Sequence, residues 1–353
     1  MARIVLLSAT AAEDENSEHR RPLRGLQESA ALDKFGEHAL TDDPETSAAI
    51  IFAESYGAGW HFERVREHAF TQRYREKCFI FSSNPFVIPF LPGVYSSIGR
   101  RWASSRTAAG FYVGQPPNEF TTYSPPEPGL PYLYSFMGSI KNAPVRRNLA
   151  RLSHPRSLFH DTSADFARLL QWKMSQRERR DYQRRYAELT KASKFILCPR
   201  GMSVSSIRLF ETMRMGRVPV ILSDGWRPPR GPDWKKFSIR VREKKFAQLP
   251  RLLEEREAEA EAMGELARAT WEDWFSEEAA FHRVVEACLE IRARRIIPES
   301  VRRWPVYLQY LRPFHFRRLL GRKLRALRGA EMRPDSTLPG ETTTELREQS
   351  SRL

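Results

Sequence analysis

The chain has 353 residues, enough for two domains of roughly 150 residues each. Apolar residues at 41% and charged residues at 29% exclude a collagen-like or wholly disordered polymer. Lys plus Arg number 58 against 43 acidic residues, a net charge of +15, which favours anionic partners such as nucleotides, nucleic acid or acidic lipid. Cys78, Cys198 and Cys288 are far apart, odd in number and form no C-x-x-C pair. That count argues against a disulfide framework and a structural zinc site, and for a reducing compartment. No run approaches the roughly 18 apolar residues of a membrane span. Met1 to His19 offers only Ile4 to Leu7 as an apolar stretch, so no signal peptide is read and a cytoplasmic location is expected.

In chain order, Arg3–Leu7 and Ala48–Ala53 read as buried strands of a parallel sheet. Gly57 and Gly59 then break the chain before a helix from about His61 to Glu76, and Cys78–Phe81 is a third strand, giving a βαβ rhythm. A stretch rich in Pro, Gly and Ser ends in Ser124–Pro131, where the domain boundary is placed. Beyond it come the strand Tyr132–Met137, a helix over Val145–Leu152, a polar helix over Gln176–Thr190 and the strand Lys194–Cys198. A loop and helix run from Pro199 to Met215, stopped by Gly216 at a left-handed cap position. The strand Val218–Leu222 follows, with Pro219 tolerable near its beginning. Helices are expected over Phe246–Glu261, Gly264–Trp274 and Glu277–Arg295. Residues 301–330 carry nine Arg or Lys and no acid, interleaved with Trp304, Tyr307, Tyr310, Phe314 and Phe316. Such a segment suits an anionic membrane surface, nucleic acid or solvent. The resulting division is 1–127, 128–296, a basic aromatic segment 297–330 and a polar tail 331–353 expected to be disordered.

The chemistry concentrates between Lys194 and Asp224. A buried strand ends in Pro199-Arg200-Gly201, and a Ser-rich loop opens a helix for which Ser205 or Ser206 is the candidate N-cap. Free N–H groups of a first helical turn favour an anion, and Arg200 and Arg208 would add charge-assisted hydrogen bonds to it. Glu211 lies three residues after Arg208 on the same face and can accept two hydroxyl hydrogen bonds, as from a ribose diol. Taken alone these residues fit two uses equally: a nucleotide site, or capping serines beside a surface ion pair.

The whole string resembles the exostosin family, glycosyltransferase family 47, whose hallmark is K-F-x-L-C-P-R-G followed by S-S-x-R-L-F-E-x-M-x-x-G-x-V-P-V-I-x-S-D. The first part is matched by Lys194, Phe195 and Leu197 to Gly201. The second is matched by Ser205, Ser206, Arg208 to Glu211, Met213, Gly216, Val218 to Ile221, Ser223 and Asp224. Asp233-Trp-x-x-Phe-Ser238 is similar to a downstream family segment. Phe136-Met-Gly-Ser with Val145-Arg-Arg-x-Leu149 is similar to the first strand and helix of the donor half. The likeness covers about 130–290. One departure is Ser203, where the family often has a second glycine.

The resemblance implies an α/β, GT-B-like architecture: two Rossmann-like domains with parallel sheets facing across a cleft, the nucleotide-sugar on the C-terminal one. It implies an inverting, metal-independent transfer, with no cofactor, from a nucleotide-sugar (UDP-linked by expectation) to an oligosaccharide or lipid-linked glycan acceptor in polysaccharide biosynthesis. The roles it assigns are ribose binding by Glu211, and diphosphate binding by Arg200, Ser205, Ser206 and Arg208, with Arg146 reaching in from a neighbouring helix; Gly201 and Asp224 are further donor-binding candidates. An acceptor base belongs at the carboxyl end of an N-domain strand; Glu54 is the candidate, with His61 behind it. No D-x-D motif is present, and Asp42-Asp43 before a proline reads as a turn. Gly57-Ala-Gly59 lacks the third glycine of a dinucleotide fingerprint, and Trp226, Trp234, Trp271 and Trp274 suit core packing better than ligand stacking. The competing class is a basic nucleic-acid- or membrane-binding protein on a catalytically degenerate GT-B scaffold. In that reading residues 301–330 do the binding.

Overall fold

In the computed structural model, short β-rich runs alternate with helices to form two all-parallel sheets. The structure describes the chain apart from residues 11–17, 56–57, 59–60, 85–87, 115–117, 128, 171–172, 312–315, 318–319 and 322–353. The chain divides into two units, Met1–Gln115 together with the chain from Ala280 onward, and Pro116–Ala279. The sequence reading instead puts the boundary at 127/128 and assigns 280–296 to the second domain.

In the first unit, β1 (Ala2–Leu7), β2 (His38–Leu40), β3 (Ala49–Glu54), β4 (Cys78–Ser82), β5 (Gly93–Tyr95) and β6 (Thr107–Ala109) stack in the order β2-β1-β3-β4-β5-β6. β3 and β4 are buried along their whole length, as expected of strands covered on both faces. α1 (Arg21–Ala31), which the sequence reading missed among polar residues, buries Leu23 and Leu26. The single helix expected over 61–76 is instead two short ones, α2 (Glu63–Glu67) and α3 (Ala69–Arg73). The break is at His68, which turns to extended backbone and whose Nδ1 accepts the Phe70 N–H at 3.1 Å, capping α3.

In the second unit, β7 (Tyr132–Gly138), β8 (Ser157–Asp161), β9 (Ser193–Pro199), β10 (Val218–Leu222) and β11 (Ile239–Arg240) stack in the order β11-β10-β9-β7-β8. The helices are α4 (Pro144–Leu149), α5 (Ser163–Leu170), α6 (Gln176–Lys191), α7 (Ile207–Arg214), α8 (Trp234–Phe237), α9 (Leu249–Glu255) and α10 (Ala260–Trp274). Ser175 starts α6 with a capping box to Glu178. Gly216 closes α7 at φ +72° as its position predicts. Pro219 lies beside the stretch of β10 that pairs with two-residue β11, so its missing N–H breaks no bond on that side. Phe195, Leu197, Val218, Val220, Leu222, Leu249 and Met263 form the core. Trp226 and Trp234 pack edge-on at 5.0 Å and Trp271 is buried.

α11 (Glu277–Ala293) carries the chain into the first unit, where α12 (Glu299–Arg302) and α13 (Trp304–Tyr307) follow. Residues 312–315, 318–319 and 322–330 of the basic aromatic segment and all of the tail 331–353 lie outside the described residues. Among the described residues, no helix is long and apolar enough to cross a membrane. The α/β class with two parallel sheets is as the resemblance implies.

Candidate functional site

Both sheets share one strand order, in which the first strand of each unit sits between the second and third. Open parallel sheets of this kind take ligands outside the carboxyl ends of the strands where the order reverses. In the second unit that point lies between β7 and β9. Gly138-Ser139 leaves β7 there and Arg200-Gly201 leaves β9.

Arg146 on α4 spans this junction. Its Nε donates to the Arg200 carbonyl at 2.9 Å, its Nη1 to the Ser139 carbonyl at 3.1 Å and its Nη2 to the Pro199 carbonyl at 3.4 Å. Burial, with the Arg208 charge adding to it, pulls its pKa down to about 9. The sequence reading treats Arg146 as a phosphate ligand, yet three of its N–H groups hold the loop ends themselves.

Arg208 enters from α7. Its guanidinium lies 4.8 Å from the Phe136 ring centroid and 5.8 Å from that of Tyr186, its Nη2 donates to the Met137 carbonyl, and its buried Nε has no hydrogen-bond partner among the described residues. Room for it depends on Gly138, where a Cβ would stand 2.5 Å from Arg208 Nη2. Glu211, half-buried one turn along, faces the Arg208 charge and the Tyr186 hydroxyl; burial pushes its pKa up while both neighbours pull it down. The Cys198 thiol, buried beneath this layer beside Thr212, is pushed up to about 11 by desolvation.

The loop after β9 is tied at both ends. The Arg200 N–H donates to the Leu222 carbonyl at 3.0 Å and the Gly201 N–H to the Ser205 carbonyl at 3.3 Å. Ser206 takes the N-cap position of α7 in extended backbone, but its hydroxyl makes no capping bond. Ser205 is buried beside it. Arg200 pairs with Glu243, its Nε 3.0 Å from Oε1. The same carboxylate accepts the Asp224 N–H at 3.3 Å, and the Asp224 carboxylate accepts the Glu243 N–H at 3.2 Å.

Arg146, Arg200, Gly201, Ser205, Ser206, Arg208, Glu211 and Asp224 therefore all belong to the second unit, linked by these contacts and by chain adjacency. Glu243 and Tyr186 were missed by sequence reasoning. Glu243 follows β11 by three residues, so its place just past the carboxyl end of a strand was the available signal. Tyr186 sits in a helix of strongly polar sequence and gave none.

In the first unit the strand order reverses between β1 and β3, and Glu54 ends β3 there. It is fully buried, and its carboxylate accepts hydrogen bonds from the Ser8 hydroxyl at 3.0 Å, the Thr10 hydroxyl at 3.1 Å and the Ala9 N–H. Burial outweighs these bonds and raises its pKa to about 7. His61 stands in left-handed backbone at φ 47°, its ring 5.7 Å from that of Phe90. Gly57 and Gly59 lie outside the described residues. Asp43 accepts from the Glu45 N–H and the Thr46 hydroxyl, so Asp42-Asp43 is a turn.

The model of the Exostosin GT47 domain matches residues 102–256, a stretch that contains every second-unit site residue from Arg146 to Glu243. The chain is 42% identical over 81 residues to the Exostosin-1 homolog of Caenorhabditis elegans, covering 22% of this chain and 21% of the relative. With Exostosin-1 of Drosophila melanogaster it shares 29% identity over 182 residues, 48% of this chain and 24% of the relative. It thus spans less than a quarter of the length of these curated relatives. Among solved structures, a glycosyltransferase from Rickettsia africae aligns with TM-score 0.38 and 11% identity, over 83% of this chain and 99% of that one. Anabaena Alr3699/HepE, solved in complex with UDP, aligns with TM-score 0.37 and 10% identity, over 81% and 99%. Residues 102–256 thus carry a likeness to the Exostosin GT47 domain, over less than half of the chain.

Proposed function

We propose that the protein is a glycosyltransferase that takes a sugar from a nucleoside diphosphate, UDP by preference, and passes it with inversion to a glycan acceptor in polysaccharide biosynthesis. The observation that carries this is the guanidinium of Arg208, held over Phe136 at the β7/β9 junction with a buried Nε that has no hydrogen-bond partner among the described residues, and with Glu211 one turn behind it. Arg208 and Arg200, with the α7 N-terminus and the Ser205 and Ser206 hydroxyls, supply positive charge and donors for a leaving diphosphate. In this reading fixed cations do the neutralising that a divalent ion would do elsewhere. Arg146 sets the angle at which the two loop ends present their groups, and Glu211 takes the ribose hydroxyls.

The acceptor hydroxyl must lose a proton as the new bond forms. Glu54 has the pKa for that task, and the Ser8 and Thr10 hydroxyls bonded to it are a relay by which a buried carboxylate receives the proton. His61 is the second candidate.

A thermal-shift series with UDP, GDP, TDP and their sugars tests the donor half. The expected result is a saturable rise in Tm with one nucleotide, lost in Glu211→Ala and Arg208→Ala. No rise with any of them, or an unchanged rise in both variants, overturns the reading. Salt-sensitive nucleic-acid binding lost on deleting 301–353 would replace it with the binding-protein alternative.

A further inference from the structure

We propose that the first unit carries a divalent transition-metal site of the zinc class, made by Glu37, His38 and His282 and steadied by Glu286. The proposal is independent of the donor chemistry above and uses residues of the first unit alone.

The turn before β2 builds one half. Asp33 accepts the Phe35 and Gly36 N–H groups, Gly36 takes φ +64°, and the Glu37 carbonyl accepts the Ala2 N–H at 3.1 Å. Pairing of β2 with β1 then fixes His38 opposite Ala2. The other half is α11, on which His282 and Glu286 are four residues apart and so share a face. The ring of His282 stacks on Phe35 at 4.1 Å and on His38 at 5.0 Å. One donor atom from each of Glu37, His38 and His282 lies within 4.8 Å of the others.

Both imidazoles are buried, His282 with 5% of its surface exposed and the His38 side chain with 4%. Among the described residues the Nδ1 atoms of both, and the Nε2 of His38, lack a hydrogen-bond partner, although buried polar atoms nearly always find one. Glu286 Oε1 lies 2.9 Å from His38 Nε2. That contact is a close charge neighbour without hydrogen-bond geometry, since Nε2 also lacks a hydrogen-bond partner among the described residues; a carboxylate beside a ring nitrogen is the neighbour that orients metal-binding histidines. Stacking alone would account for the rings but not for three ring nitrogens without hydrogen-bond partners among the described residues, beside a carboxylate.

Two neutral imidazoles and a carboxylate suit zinc and its neighbours, whereas magnesium and calcium take oxygen ligands. Zn–N and Zn–O bonds of about 2.0–2.2 Å need the donors to close by modest side-chain rotations. Glu37 is exposed, so the ion has an entry path and a fourth position open to water. The cysteine count says nothing against this set, because it contains no thiol. The ion would clamp the start of α11 to the edge strand of the first sheet, adding its binding energy to the stability of that unit.

The test uses the full chain, stripped with a chelator and titrated with Zn(II) against a chromogenic competitor. One equivalent should bind, with a rise in Tm, and Co(II) in its place should give the visible absorption of a low-coordinate nitrogen–oxygen site. His38→Gln and His282→Gln should each weaken zinc binding about tenfold or more and abolish the cobalt spectrum. Should those variants fail to fold, Glu37→Gln decides, since an exposed side chain can be changed without emptying the core; it should weaken binding as well. No uptake by the stripped wild type, or uptake unaltered in Glu37→Gln, overturns the proposal. Nucleotide binding in the second unit should be the same with and without zinc, so the two readings fail separately.

Discussion

The Nε of Arg146 donates to the backbone carbonyl of Arg200 at 2.9 Å, so one cation sets the chain direction from which another is presented. With the bonds to Ser139 and Pro199, a single side chain joins the ends of two parallel strands where the sheet order reverses. The planar fork of arginine can serve several carbonyls at once, and an ammonium cannot match it.

Arg146→Lys should therefore behave as a structural lesion with the charge kept. Carbonyls left unpaired in a buried place cost about 1–3 kcal/mol each, and loss of two should lower unfolding free energy by about 2–6 kcal/mol. Urea denaturation reads the effect. A variant as stable as wild type would show that these three bonds do not hold the junction.

Gly138 and Gly201 make a matched pair. A Cβ at Gly138 meets Arg208 Nη2 at 2.5 Å, whereas one at Gly201 meets its nearest neighbours at 3.6 and 3.8 Å. Gly138→Ala should displace the guanidinium and weaken nucleoside diphosphate binding about tenfold, roughly 1.4 kcal/mol. Gly201→Ala should leave it within about twofold, under roughly 0.5 kcal/mol. Calorimetric titration of both variants compares them directly, and equal effects would mean that Arg208 is not where the ligand is felt.

Arg106 and Glu299 form a pair with almost no exposed surface, 5% and 2%. Arg106 Nε lies 3.1 and 3.2 Å from the two carboxylate oxygens, and its Nη2 also donates to the Phe90 carbonyl at 2.9 Å. Breaking a buried pair by removing one partner costs about 3–5 kcal/mol, because the other charge is left uncompensated. Glu299→Ala should show that loss in chemical denaturation, and adding Arg106→Met should restore part of it. A single variant within about 0.5 kcal/mol of wild type would mean that water reaches the arginine.

Apolar runs such as Ala49–Ala53 and Phe195–Cys198 made the central strands legible, because a strand buried on both faces has little choice of residue. β5, β6 and β8 were not, being three to five residues long and only partly apolar. The break at His68 also escaped notice, since its cause is one side-chain cap and not a pattern. The cluster around Arg208 could be read because motif and helical spacing agree there. Arg146 shows the limit of such reading: sequence marks it as a cation near the site, and only the three carbonyls reveal what it holds. Glu37, His38 and His282 gave no signal at all, since more than 240 positions separate the two halves of the cluster.

Glu54 makes a prediction in which the direction is as informative as the size. Its pKa is raised from 4.5 to about 7, so the folded chain holds a proton that the unfolded chain has already released. Stability from this group is fully present below about pH 4.5 and is lost as pH rises through about 7. At about 1.4 kcal/mol per unit, the loss is on the order of 3 kcal/mol by about pH 8. Glu54→Gln, which cannot ionise, should remove this slope: the difference in unfolding free energy between wild type and variant should shift in favour of the variant between about pH 5 and pH 8. Denaturation at a series of pH values measures it, and the difference cancels every other titrating group the two proteins share. Parallel profiles would mean that Glu54 is ionised throughout, held by Ser8, Ala9 and Thr10 as an anion. A carboxylate of that kind has no use for an acceptor's proton, so the base would then have to be sought at His61.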